Sequence, residues 1–199
     1  MKTLTWVLLF CLLPIACSNE QPNDDFDQTP PLLSAAESGD LPAIRQILNN
    51  KTQVDIRDAC LWTPLMKAAL NGHLEAARQL IEAGADIDLT DKGGYSALML
   101  AASNNHAELV ELLLKAGADP NLREQTEGFT ALIWASKLGH VETVNRLLTA
   151  GADRSLRDLE GKSALDWAIA RNDTALVALL TPANQSSPLN AQDPASQQH

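Results

Sequence analysis

A chain of 199 residues that is 45% hydrophobic but only 4% aromatic is long enough for one sizeable domain, and it suits closely packed helices better than a β-sandwich. Its formal net charge of −10 argues against general nucleic-acid binding, which needs clustered Lys and Arg to displace counterions, and favours basic partners.

Met1 to Cys17, MKTLTWVLLFCLLPIAC, has a lysine followed by a short apolar run too brief to span a bilayer comfortably. That is the layout of a secretory signal peptide. The ending Leu13-Pro14-Ile15-Ala16-Cys17 resembles the lipobox of bacterial lipoproteins, although Pro14 stands where an aliphatic residue is usual. The resemblance implies cleavage before Cys17 and a lipid on its thiol, with ordinary cleavage near Ala16 as the alternative. Residues 18–28, SNEQPNDDFDQ, are acidic and nearly free of aliphatic side chains, and read as a disordered tether. Of the three cysteines, Cys11 and Cys17 fall in the export segment. Cys60 is then left as a lone thiol without an internal disulfide partner, and no pair has zinc-ligand spacing.

From Pro30 the chain repeats itself. The first alanine of a small-residue pair falls at Ala35, Ala68, Ala101, Ala135 and Ala168, at intervals of 33, 33, 34 and 33 residues. Thr63, Ser96, Thr130 and Ser163 keep the same steps, as do Leu65, Leu98, Leu132 and Leu165. Gly84, Gly117 and Gly151 each open a Gly-Ala-Asp. The single longer interval places one extra residue in the loop from Arg123 to Gly128. Each hydroxyl residue can cap a short first helix, with Pro64 suited to a first-turn position. Leu and the small pair share a face of that helix. Gly72, Asn105, Gly139 and Asn172 permit the left-handed turn that reverses the chain. A second helix follows, with apolar residues at helical spacing such as Leu109, Leu112 and Leu113, and the Gly-Ala-Asp glycine ends it. One such pair cannot bury both faces, so stability must come from stacking.

The stretch TPLMKAALNGHLEAARQLIEAGADID resembles an ankyrin repeat, whose core reads T-P-L-x-x-A-A-x-x-G-H-x-E-x-V-x-x-L-L-x-x-G-A-D-x-N. The match is strong over 58–157 and weaker at both flanks, where Lys51-Thr52-Gln53 replaces Gly-Ala-Asp and Asn172-Asp173 replaces Gly-His. The resemblance implies an all-α solenoid of about five helix-turn-helix units joined by β-hairpin fingers. The units are an N-cap repeat 29–57, repeats 58–90, 91–123 and 124–157, and a C-cap repeat 158–182. Degenerate ends are expected, since each presents one face to water. Residues 183–199, low in apolar side chains and rich in Gln, Ser, Ala and Pro, read as a disordered tail.

Little here points to catalysis. His73, His106 and His140 recur at the structural period, which assigns them to starting the second helix rather than to chemistry. Glu75, Glu108 and Glu142 fall in its first turn, where a carboxylate favours the helix dipole. Gly161-Lys162-Ser163 imitates the end of a phosphate loop, but Leu156 stands where its first glycine belongs. Asp86, Asp88 and Asp91 lack EF-hand spacing and its closing Glu. The expectation is a non-enzymatic binding module without metal or cofactor, acting as a monomer.

In the ankyrin family, partners dock on a concave side built from fingertips and first helices. The position just before the capping hydroxyl holds Trp62, Tyr95, Phe129 and Lys162, three of the eight aromatics in the chain. Aromatics are frequent interface anchors, so these are the first candidates for partner binding. Leu70-Asn71, Ser103-Asn104, Lys137-Leu138 and Ala170-Arg171 form a second tier. Trp134 and Trp167 share a position inside the first helix and read as partly buried core. The expected function is an exported, lipid-tethered adaptor that binds a protein with a basic or apolar patch. Small exported ankyrin proteins are linked to stress defence and toxin neutralisation. The alternative is a redox or hydrolytic accessory using Cys60.

Overall fold

The structure, a computed structural model, describes residues 30–50 and 53–181. The expected export segment, lipidation site, tether and tail lie outside the described residues. Among the described residues ten helices form five antiparallel pairs. They are α1 (Pro31–Ser38) with α2 (Leu41–Asn49), α3 (Pro64–Leu70) with α4 (Leu74–Glu82), and α5 (Ala97–Ser103) with α6 (Ala107–Lys115). Then come α7 (Ala131–Leu138) with α8 (Val141–Thr149), and α9 (Ala164–Ala170) with α10 (Thr174–Leu180). The first helices pack in one row and the second helices in another, each against its counterpart in the neighbouring unit.

The sequence sets each unit locally. The side chains of Thr63, Ser96, Thr130 and Ser163 accept hydrogen bonds from the backbone amides of Met66, Met99, Ile133 and Asp166. Asp166 returns a bond to the Ser163 amide, closing a capping box. Gly72 and Gly139 turn the chain at φ +73° and +87°, and Asn105 and Asn172 do so at 59° and 58°. Leu98, Ala101, Ala102, Leu109, Val110 and Leu113 of the middle pair are fully buried, as are their equivalents in the adjacent pairs. Alanine in the small pair lets neighbouring first helices approach closely.

One position breaks that pattern. Ser136 stands where the earlier units have Ala36, Ala69 and Ala102, is 0% exposed, and its hydroxyl meets no hydrogen-bond partner among the described residues. A buried unsatisfied hydroxyl is destabilising, so Ser136→Ala should raise stability by about 1 kcal/mol and Tm by roughly 3 °C, read by urea and thermal unfolding.

The fingers are not hairpins of paired strands. Among the described residues there are only isolated antiparallel bridges, Thr90 with Ser96 and Arg157 with Ser163. The reason is a carboxylate at each finger base. Asp91 donates its own amide to the Tyr95 carbonyl at 3.1 Å, but the returning Tyr95 amide bonds the Asp91 side chain at 2.9 Å instead of its carbonyl. The same side chain takes the Gly93 amide. Asp58 and Asp158 do likewise with the amides of Cys60 and Trp62 and of Glu160 and Lys162. A side chain thus takes the amide that would extend a ladder, and the finger is a closed turn. Neighbouring fingers are stitched by backbone bonds, Lys92 to Cys60, Gln125 to Gly93 and Leu159 to Glu127.

Candidate functional site

Recurrent columns of side chains meet on the face formed by fingers and first helices. The column before each cap holds Trp62, Tyr95, Phe129 and Lys162. The column five residues into each unit beyond it holds Lys67, Leu100, Trp134 and Trp167. They interlock: Lys67 Nζ lies 5.1 Å from the Trp62 ring centre, and Tyr95 stands 6.3 Å from Trp134. Phe129 meets Trp134 edge-on at 4.9 Å and Trp167 at 6.0 Å.

The expected aromatic column is therefore not uniform. Trp62 and Tyr95 are half-buried, whereas Phe129 is 1% exposed and forms the floor beneath Trp134, Trp167 and Lys137. The two tryptophans expected to be partly buried are half-buried, and they belong to this same cluster. Lys137 Nζ sits 4.3 Å from the Phe129 ring, 4.4 Å from Trp167 and 5.7 Å from Trp134, and Lys162 covers Trp167 at 4.4 Å. Burial, and the negative charges of Glu124, Asp91 and Glu127, hold the Tyr95 phenol above its usual range despite its bond to Thr126.

The second tier is more modest. Leu70 is half-buried, and the exposed Asn71 and Asn104 use their amides on the carbonyls of Lys67 and Leu100, finishing their own helices. Ser103 also bonds the Leu100 carbonyl. Arg171 is exposed and donates to the Lys137 carbonyl. Leu138 and the fingertip Leu61 are exposed apolar residues. Leu61 holds φ 67° where the other fingers have Gly94, Gly128 and Gly161.

The histidines have a different task from the expected one. They occupy the N-cap positions of α4, α6 and α8 without making a side-chain cap bond. Their Nε2 atoms instead reach the preceding unit, donating to the carbonyls of Glu37, Leu70 and Ser103 at 3.0–3.2 Å. They staple unit to unit. Capping is left to Asp40 and Asp173 in the end units. In the last unit, which has Asp173 for His, Arg171 makes the equivalent reach to Lys137. Burial and the charge of Arg171 keep His140 below its usual pKa, against the bond to the Ser103 carbonyl.

Glu124 was missed by sequence reasoning. It replaces the Asp of the other fingers, is 2% exposed, and spans the finger that carries the extra residue. Its Oε1 accepts from the amides of Glu127 and Phe129, both at 2.9 Å, and its Oε2 from the amide and hydroxyl of Thr126. The signal was available: the only 34-residue interval coincides with the only Glu in an Asp column. Because Glu124 is occupied, the Trp134 Nε1 that matches it is buried without a hydrogen-bond partner among the described residues, whereas Trp167 Nε1 reaches Asp158 at 2.8 Å.

Asp86 and Asp88 bind amides as well: Asp88 accepts from Asp119 of the next unit and Asp86 from Asp88. Among the described residues no group of three His, Cys, Asp or Glu is placed to hold a metal ion. Cys60 lies in the first finger, where its amide donates to the Asp58 side chain at 2.8 Å.

The family model described as ankyrin repeats, in three copies, matches residues 32–124 and 98–193. The chain belongs to the ankyrin-repeat family. No curated protein matches the chain. Ankyrin repeats are interaction scaffolds, typically without catalysis of their own, and they generally bind protein partners. In this ankyrin-repeat chain the half-buried Trp62, Tyr95, Trp134 and Trp167 and the lysines over them lie together on one face.

Proposed function

We propose that this ankyrin-repeat protein is an exported adaptor of the bacterial cell envelope, which binds another protein on its finger face and protects or inhibits it. The observation that carries the reading is the aromatic and lysine surface running from Trp62 to Trp167. The caps, turns and staples of the repeat account for the other recurrent polar residues, whereas these half-buried side chains pack against the core and still present part of their surface on this face. Half-buried aromatics on a rigid scaffold lose little entropy on binding, which suits them as anchors.

Export rests on the segment 1–17 and the lipobox-like end at Cys17. Attachment to the membrane falls to the lipid on Cys17. A stress-defence or toxin-neutralising role extends the same reading.

The test is co-purification from the native envelope followed by mass spectrometry, comparing the natural chain with Trp62→Ala/Tyr95→Ala. The double variant should keep its helical circular dichroism and lose partner recovery by about tenfold or more. Undiminished recovery by a folded double variant would overturn the assignment of this face.

A further inference from the structure

The chain is acidic, yet its finger face is not. In the columns that begin at Trp62, Lys67, Leu70 and Asn71, the cations are Lys67, Lys137, Lys162 and Arg171, while Glu37 of the first unit is the one carboxylate at an equivalent position. Two of these lysines are already neutralised: Lys67 pairs with Glu37 at 3.3 Å and Lys162 with Glu160 at 2.6 Å. Arg171 is held on the Lys137 carbonyl as an inter-unit staple. Lys137 differs from all of them. Among the described residues it faces no carboxylate within ion-pair distance, and its ammonium rests on the rings of Phe129, Trp134 and Trp167.

An ammonium on aromatic faces gains cation–π attraction, and those rings remove part of the water that would screen its charge. Among the described residues its N–H donors meet no hydrogen-bond acceptor. The surface around it is largely apolar, through Trp134, Trp167 and the exposed Leu138, with Lys162 over Trp167 and Arg171 on the Lys137 carbonyl adding further positive charge. A positive charge set in apolar surface selects a negative charge set in apolar surface.

We propose that the fourth and fifth units take an acidic segment of the partner protein, with an Asp or Glu carboxylate on Lys137 and adjacent apolar side chains against Trp134 and Trp167. The proposal rests on the finger face being the partner surface, and it reverses the basic partner that net charge alone suggested. Many of the acids responsible for that net charge are placed elsewhere, Glu75, Glu108 and Glu142 on the second helices and Asp86, Asp88 and Asp119 at the exits of the units, while Glu127, Glu160 and Asp166 remain on the fingers and on α9.

The test uses the full-length purified chain and three fluorescein-labelled peptides of one leucine framework, carrying Glu, Gln or Lys at the alternate positions. Binding is read by anisotropy and by tryptophan emission. The Glu peptide should bind about tenfold tighter than the Gln peptide, with the Lys peptide weakest. Lys137→Glu should invert that order, and added salt should weaken the Glu peptide most. Equal or tighter binding of the Gln or Lys peptide overturns the proposal, as does no binding by any of them or a Glu peptide indifferent to Lys137→Glu. Lys137→Gln, which keeps the stem over the rings, guards against misfolding of the charge reversal and should abolish the preference without inverting it. If the Gln peptide binds best and needs Trp167, the finger face stands and the acidic partner falls. If every peptide that binds ignores both Lys137 and Trp167, the face itself is wrong.

Discussion

Glu124→Ala should cost about 3 kcal/mol and lower Tm by roughly 10 °C, although it removes a side chain from a loop. The carboxylate is 2% exposed and closes its finger by accepting from three backbone amides and the Thr126 hydroxyl. Without it those amides stay in a closed turn with no acceptor, and leaving a buried donor unpaired costs more than the hydrogen bond contributed. Burial pushes the Glu124 carboxyl up, but the bonds from Thr126, Phe129 and Glu127 together outweigh it and the net direction is down. Its stabilisation is therefore complete above the ordinary Glu pKa and is lost as pH falls through the lower folded value. Urea unfolding across acid pH should show the natural chain and Glu124→Ala converging at the low end. Glu124→Gln should fall between them, since one carbonyl oxygen still accepts while the amide group opposes the Thr126 donors. Glu124→Asp is too short for the longer span and should also lose stability. Joined to deletion of Thr126, however, it rebuilds the four-step finger of Asp91 and Tyr95 and should recover most of the loss. The rebuilt Asp would also stand to Trp134 Nε1 as Asp158 stands to Trp167 Nε1.

That result would show why some of this molecule could be read from its sequence and some could not. Caps, reversing turns and the small-residue pair meet the same physical demand in every unit, so Thr63, Gly72 and Ala68 announced themselves by recurrence. The helix pairs and their stacking followed. Recurrence also misled. Trp62, Tyr95 and Phe129 share a column, but burial depends on what stands at the neighbouring column in the same unit and the next. Trp62 has Lys67 beside it, whereas Phe129 has Trp134 and Trp167, which close over it with Lys137. The histidines recur as faithfully as the caps, and position alone placed them at a helix start. Their partners lie about 36 residues back in the preceding unit, a contact that only the stacking geometry brings into being. The carboxylate-closed fingers were hidden for a related reason, since an Asp before a turn looks the same whether it accepts amides or faces water.

The staple itself is open to test through Gly72→Ala, which should cost about 2–3 kcal/mol, more than a left-handed glycine alone explains. Gly72 has φ +73°, which already disfavours a Cβ. The Cβ would also stand 2.6–3.0 Å from Cε1, Nδ1 and Nε2 of His106, whose ring lies against the glycine while donating to the Leu70 carbonyl at 3.2 Å. The imidazole cannot withdraw without giving up that bond, so the substitution strains the turn and loosens the joint between the second and third units together. Gly84→Ala is the control: φ is +90° there, but the added Cβ meets no atom within 4 Å, and the loss should be about 1 kcal/mol. A double-mutant cycle separates the two contributions. In a His106→Ala background, Gly72→Ala should fall to the cost of the control, because the clash has no ring to meet. If the penalty of Gly72→Ala is unchanged there, the glycine serves the turn alone and the histidine is not what fixes unit to unit.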